Sequence, residues 1–389
     1  MADELVVTKE IPILKGGFVP EPHAIVQAAN GDFIVAGEFG YEAWAGRVDQ
    51  SGHLKWQYKM PPKDFPVSIT TPRLQAPIYW SAVAMPDDSV FLCGYLPRKL
   101  KKGVPWPGLI THLDKEGKLL SQSMLIPAGK EFPSIARIKS CTKVGDEIIG
   151  LGTSDRTTPN LHPTKEYPYL NKRFEYYWLF ALDLNGKLKW EKLITMDEKY
   201  GSAQIMSLLS SRLSGGGLVF IGSGGLGSEL VHTDSSGNVT ARKTLPSVLL
   251  PVQPTDPQDT ALQLVSPSPE KLLSVSLNDE LQVTKRGEYP HSPGVINKAY
   301  RSSDQSLFLF GSLGQPNFAH AGVMKIDPTL EHEDTLVQPE KITWPTIPDA
   351  VPVSGTGEFA AVHELISGED LSQNSLLITI FRVKPTERR

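Results

Sequence analysis

Leu179-Phe-Ala-Leu-Asp183-Leu-Asn-Gly186-Lys-Leu-Lys-Trp190 is the stretch on which the reading of this chain turns. An apolar, β-rich run ends in Asp, a short turn ends in Gly, and another strand follows. Asp accepts backbone N–H groups at the start of such a turn, and Gly supplies the positive φ at its end. Just upstream, Ile148-Ile-Gly-Leu-Gly152 is a second apolar run, closed by Gly and separated from the first by a variable gap. The order recurs along the chain. Phe33-Ile-Val-Ala-Gly37 leads to Val48-Asp49-Gln-Ser-Gly52-His-Leu-Lys-Trp56, and Val90-Phe-Leu-Cys-Gly94 leads to Leu113-Asp114-Lys-Glu-Gly117. Val219-Phe-Ile-Gly222 leads to Thr233-Asp234-Ser-Ser-Gly237, and Leu307-Phe-Leu-Phe-Gly311 leads to Ile326-Asp327, where the turn is degenerate. The interval from Asp234 to Asp327 is close to twice a short period, and residues 271–277 with 281–284 supply the unit hidden in it. Residues 358–363 and 375–383 supply a last one, which makes seven units.

Each unit reads as a four-stranded antiparallel sheet whose alternating apolar residues face its neighbours on both sides. One such sheet cannot bury both faces alone, so the array must close into a ring. The sequence therefore predicts an all-β fold, a single β-propeller over residues 1–389 with seven four-stranded blades. The run 5–13 reads as an outer strand with no inner strands before it, and the C-terminal blade lacks its outer strand. Pairing of these N- and C-terminal strands is expected to close the ring. Residues 206–213 come nearest to a helical period, and strand is the better reading there.

Composition agrees with a globular chain. Of 389 residues 40% are apolar and 21% charged, enough for a sizeable core. Lys plus Arg is 39 and Asp plus Glu 43, a net charge of −4, so no global field points to nucleic acid. No apolar run is long enough to span a bilayer. Met1-Ala-Asp-Glu-Leu5 has neither a basic n-region nor an apolar h-region. Two settings stay open: a cytoplasmic protein, or a mature form whose leader was replaced by Met1. Cys93 and Cys141 are expected to be two buried thiols, with one bridge between them as the alternative.

Blade topology sorts the connections. The second-to-third-strand and blade-to-blade connections leave one pole, and the short Asp-x-x-Gly turns lie at the other. The insertions fall on the first pole. The second-to-third-strand gap is short from Gly37 to Asp49 and from Gly222 to Asp234, and expands from Gly94 to Asp114 and from Gly152 to Asp183. Long loops on a compact scaffold are more often functional than idle. The two expanded loops, 95–107 and 155–177, belong to adjacent blades and mix cations with aromatics, the residue types of interface hot spots. The candidate partner-binding residues are Arg98, Lys99, Lys101, Lys102, Trp106, Lys165, Tyr167, Tyr169, Lys172, Arg173 and Tyr176. The lysines and arginines among them would give this sector a positive field suited to a protein partner with an acidic surface. The alternatives are a solvated loop or a small anionic or sugar ligand.

Signatures of chemistry are sparse. There is no Walker-type phosphate loop, no His-Glu-x-x-His and no Cys-x-x-Cys. His332 sits among Glu331, Glu333 and Asp334, but consecutive residues rarely converge on one ion, so a solvated acidic turn is expected. The Asp-x-x-Gly segments lack the further oxygen ligands that calcium needs and read as turns. Asp87-Asp88 and Glu369-Asp370 read as exposed turn residues. No catalytic or metal residue and no cofactor is expected.

Residues 179–190 and 45–56, each ending in Asp-x-x-Gly-x-Leu-Lys-Trp, resemble the tryptophan-docking repeat of pyrroloquinoline-quinone-type propellers. The resemblance covers five units at the Asp, with the Trp kept in two; Ser121 and Ala241 stand in its place elsewhere. It implies a turn made by Asp and Gly and a Trp docked on the next blade. It does not extend to the quinone, since the chain has no adjacent cysteines. Cofactor-free relatives such as the propeller lipoprotein of outer-membrane assembly are scaffolds, which implies a bacterial periplasmic or secreted setting. The expected function is a non-catalytic, monomeric binding propeller that holds a protein partner on its long-loop face, for example as an inhibitor or immunity-type protein. The alternative is an enzyme, a saccharide hydrolase or lyase or a degenerate quinoprotein, with its site at the channel mouth.

Overall fold

The computed structural model describes residues 4–15, 19–40, 42–60, 77–96, 107–128, 136–155, 174–196, 205–209, 217–224, 227–256, 261–267, 271–278, 280–289, 294–313, 320–328, 333–337, 347–365 and 374–384. The regular elements among them are all strands, and no helix is long and apolar enough to cross a membrane. The chain opens with β1 (Glu4–Lys15). Blade 1 follows as β2 (Glu21–Gln27), β3 (Phe33–Phe39), β4 (Glu42–Val48) and β5 (Leu54–Lys59), and blade 2 as β6 (Ile78–Ala84), β7 (Val90–Tyr95), β8 (Gly108–Leu113) and β9 (Leu119–Leu125). Blade 3 is β10 (Ala136–Val144), β11 (Glu147–Asp155), β12 (Phe174–Leu182) and β13 (Leu188–Thr195). Blade 4 is β14 (Ile205–Leu209), β15 (Leu218–Gly224), β16 (Gly227–Thr233) and β17 (Val239–Leu245). Blade 5 is β18 (Leu250–Pro254), β19 (Leu262–Pro267), β20 (Leu272–Leu277) and β21 (Val283–Tyr289), and blade 6 is β22 (Gly294–Arg301), β23 (Leu307–Leu313), β24 (His320–Ile326) and β25 (Glu333–Val337). Blade 7 combines β26 (Asp349–Val353), β27 (Glu358–Leu365) and β28 (Ser375–Lys384) with β1 as its outermost strand.

The seven innermost strands each meet the next, and β26 returns to β2, so the ring is closed around a central channel. The register runs from Glu4 opposite Lys384 to Lys15 opposite Ser375, and it buries Leu5, Ile11 and Ile13. This is the closure expected from the unpaired N-terminal run. Residues 205–209 are a strand, as expected. Between blades 5 and 6 the innermost strands pair directly and in parallel, Val252 opposite Ala299, joining the two blades into one eight-stranded sheet.

The repeat turns behave as their chemistry requires. Asp49, Asp114, Asp183 and Asp234 each accept N–H groups from the residues two and four positions on, at 2.8–3.0 Å. Gly52, Gly117, Gly186 and Gly237 have φ of 98, 79, 80 and 80°. Blade 5 builds the same turn from other residues: Asn278 takes the place of Asp, and Leu281 adopts φ 61°. That is why its unit was hidden in the sequence.

The tryptophans dock as the resemblance implies. Trp56 gives its indole N–H to Lys115 O (2.9 Å) and lies on Gly117 of the next blade, where a Cβ would sit 2.6 Å from the ring. Trp190 covers Gly237 in the same way, 2.7 Å from such a Cβ. Beneath Trp56, buried Arg47 bonds Asp32 (2.8 Å) in its own blade and Asp88 O (3.0 Å) in the next. Trp56→Ala is expected to lower the free energy of unfolding by about 2 kcal/mol, since the indole is half-buried. Urea unfolding followed by circular dichroism measures it, and an unchanged midpoint would show that the docked ring is idle.

One expectation is corrected. Cys93 on β7 and Cys141 on β10 are not free thiols but a disulfide, with Cα atoms 6.5 Å apart, joining blades 2 and 3. Their 48-residue separation carries no sign of contact along the chain; ring packing brings the strands together.

Candidate functional site

At the long-loop pole the inner strands share a local device. Four of them carry a β-bulge near their start, each one residue long: His23 in β2, Trp80 in β6, Lys139 in β10 and Asn297 in β22. A bulge leaves its extra residue unpaired and re-aims the side chain. Opposite each, on the second strand of the blade, is a glycine of the repeat: Gly37, Gly94, Gly152 and Gly311. A Cβ there would overlap the carbonyl oxygen of Glu21, Ile78, Arg137 or Val295. β19 and β27 pair with unbulged strands and contain no glycine. The glycine that ends the apolar run in the sequence is thus the mark of a bulge across from it. Gly222 is the exception: β14 is unbulged, and the space over Gly222 is taken by the Tyr177 ring of blade 3.

Three of the re-aimed side chains meet at the junction of blades 1, 2 and 3. The His23 ring stacks on the Trp80 indole with centroids 4.3 Å apart. Lys139 Nζ lies 3.5 Å from the centre of the same indole, a cation–π contact. The Arg137 guanidinium, on the same strand as Lys139, sits 5.3 Å from the Tyr95 ring. Burial, aided by the Arg137 charge, pushes the Lys139 ammonium down to about 7. Burial, then the Lys139 charge, pulls the His23 imidazole down to about 4, so this ring is neutral at pH 7. His23 Nε2 and Trp80 Nε1 are shielded from water and have no hydrogen-bond partner among the described residues. The hydroxyls of Thr153 and Ser154, at the end of β11, are buried and unpaired in the same way. The indole N–H can only donate, the hydroxyls and the neutral imidazole can donate or accept, and none of them has a partner among the described residues.

Carboxylates lie close to this cluster: Glu38 of blade 1 acts electrostatically on Tyr95, the ring against Arg137. Burial, together with Glu21 and Glu38, raises the Glu364 carboxyl to about 8. A carboxyl there stays protonated at neutral pH. Among the described residues no group of three or more His, Cys, Asp or Glu is arranged to hold a metal ion. The opposite mouth contrasts with this one: a cavity of about 420 Å³ is lined mainly by small and aliphatic side chains such as Val26, Ala82, Ala84 and Val351.

Of the residues singled out from sequence, Arg98, Lys99, Lys101, Lys102, Trp106, Lys165, Tyr167, Tyr169, Lys172 and Arg173 lie outside the described residues, as do Glu331, His332, Glu369 and Asp370. Tyr176 is described, half-buried on β12, opposite Ser154 and Thr195. The bases of both excursions are visible. Leu96 N–H bonds Pro107 O at 3.0 Å beneath the first, and Asp155 faces Phe174 beneath the second. The blades meet between them: a Cβ on Gly108 would touch Ile138 at 2.7 Å and Trp178 at 3.0 Å. Asp87 and Asp88 form a turn, as expected, Asp88 with φ 65°. Sequence reasoning missed His23, Trp80 and Lys139. The signal that could have found them is the repeat glycine, which places a bulge on the strand it faces.

No family model matches the chain, and no curated protein matches it. Solved structures resemble it at low identity. Raptor of Chaetomium thermophilum aligns with a TM-score of 0.56 and 9% identity over 97% of this chain and 30% of that one. BBS1N, solved with ARL6DN, aligns with a TM-score of 0.52 and 9% identity over 99% of each chain. BamB of Moraxella catarrhalis aligns with a TM-score of 0.41 and 12% identity over 97% and 99%. At these identities the likeness is one of architecture, and the blade topology states it directly: this chain is a seven-bladed β-propeller.

Proposed function

We propose that this propeller is a non-catalytic binding protein that holds a protein partner on its long-loop pole, with the channel mouth receiving an acidic group of that partner. The observation that carries the reading is the cluster on Trp80. A lysine ammonium lies over the Trp80 ring, and the buried His23 Nε2 and Trp80 N–H beside it have no hydrogen-bond partner among the described residues, next to a guanidinium. A carboxylate seated there would restore the full charge of Lys139 and satisfy donors whose unpaired burial costs free energy. The basic excursions 97–106 and 156–173 spring from the same pole of blades 2 and 3 and would add a steering field. An inhibitor or immunity-type role, with these loops plugging another protein's site, is one form of this function. The Asp-x-x-Gly turns and docked tryptophans favour membership of the quinoprotein-type repeat superfamily without its cofactor. The Cys93–Cys141 bridge favours a periplasmic or secreted setting, where disulfides persist.

A second reading rests on Glu364. A carboxyl kept protonated near neutrality beside Glu21 and Glu38 is the environment of a general acid, and it favours an enzyme acting on a saccharide.

The two are separated by capture of partners from the native cell extract. The wild-type chain is expected to retain a partner that is lost when 97–106 and 156–173 are replaced by short turns. Lys139→Met is expected to weaken binding about tenfold, and the wild-type affinity to fall as the pH rises through 7 and the ammonium discharges. Full binding by the loop-truncated form would refute the partner reading. Glycoside cleavage abolished by Glu364→Gln would establish the enzyme.

A further inference from the structure

The cluster on Trp80 holds a group whose chemistry an ion pair alone does not use, the amine of Lys139. Lys139 is the extra residue of the bulge in β10, so its side chain is re-aimed out of the strand's alternation. A lysine withdrawn from water normally ends on a carboxylate. Lys139 ends on an indole instead, its Nζ 3.5 Å from the centre of the Trp80 ring, and no carboxylate among the described residues pairs with it. The strands around it explain why. β2 brings His23, neutral at pH 7, β6 brings Trp80, β7 brings Tyr95, and β14 has no titratable residue. The described carboxylates of this pole, Glu21, Glu38 and Glu364, act on one another and on Tyr95. The charge that does reach Lys139 is Arg137, and it opposes a second cation. Burial first, then Arg137, holds the amine down to about 7, so about half of it is neutral at pH 7. A desolvated lysine beside another cation is how proteins make an amine nucleophilic. It is half-buried rather than sealed, so a small molecule can reach it.

We propose that Lys139 is a covalent capture site for small aldehydes, which are admitted at the channel mouth and held there as an imine. The neutral nitrogen adds to the carbonyl carbon, and the C=O electron pair moves onto oxygen. That oxygen then leaves as water with both N–H protons, and a C=N bond remains. Nothing is oxidised or reduced, and hydrolysis returns the amine and the aldehyde. An aldehyde suits the site better than a ketone, because the indole already covers one side of the amine and an aldehyde brings only one substituent. The inference goes beyond the partner reading and uses the opposite protonation state. A partner's carboxylate needs the ammonium, whereas a carbonyl carbon needs the free amine.

Reductive alkylation of the folded, full-length chain tests this. Propionaldehyde is the probe, cyanoborohydride reduces the imine to a stable secondary amine, and peptide mass spectrometry reads each lysine separately. At pH 7 Lys139 should be alkylated at least about tenfold faster than the exposed Lys118, since a lysine in water discharges only near about pH 10. Its labelling should rise with a midpoint near pH 7. Partner binding is expected to fall over that same range, so the two readings fail separately. In urea, where burial and the Arg137 charge are lost together, the preference for Lys139 should vanish. Labelling of Lys139 no faster than Lys118 in the folded protein, or a preference that survives unfolding, would overturn the proposal.

Discussion

Gly94→Ala is expected to cost about 3 kcal/mol of stability or more, or to prevent the chain from accumulating in folded form, although it adds only one methyl group. The position lies within β7, one residue before its end, where alanine is ordinarily harmless. Here the bulge at Trp80 pushes the Ile78 carbonyl oxygen into the space a Cβ would fill. Backbone on both sides fixes that oxygen, so the clash cannot be relieved by a side-chain rotation. Relief would mean removing the bulge, and a one-residue change of register turns every following side chain of β6 to the other face. The buried Ala82 and the partly buried Ser81, which bonds the Cys141 N–H, would then be misplaced. Gly37→Ala, Gly152→Ala and Gly311→Ala should act alike in their own blades. Thermal and urea unfolding give the measurement. A Gly94→Ala protein as stable as wild type would show that the glycine does not serve the bulge.

The paired substitution Cys93→Ala with Cys141→Ala should lower the free energy of unfolding by about 4 kcal/mol, the loop-entropy value for a closed segment of this length. The bridge joins neighbouring blades, so it resists the separation of blade 2 from blade 3 by which the ring would open there. It lies in the sector that carries both long excursions, so its loss should also loosen the two anchors relative to each other. Both cysteines are buried, Cys93 completely. Reduction of the native protein should therefore be slow until the blades part. Two measurements check this: the shift in urea midpoint, and a thiol titration of unreduced protein in denaturant. Two titrating thiols in that second experiment would mean the bridge is absent.

Part of this molecule is readable in the chain because its causes are local. A turn that needs an acceptor at one residue and positive φ three residues later leaves Asp and Gly in the sequence, and a strand buried on both faces leaves an apolar run. These two signals, repeated, carry the blade architecture, the number of blades and the outermost place of residues 4–15. They weaken where the local chemistry changes. In blade 5, Asn278 and Leu281 make the same turn without its usual letters.

Tertiary structure alone decided the rest. A bulge is one extra residue, and it interrupts alternation too briefly to be seen. What places His23 and Lys139 against the one indole is the meeting of three blades at the axis. The bridge between Cys93 and Cys141, and the cluster on Trp80 near Arg137, likewise depend on which strands face each other once the ring closes. Proximity across blades has no period along the chain. It is set by packing, and packing is settled only when every blade has found its neighbours.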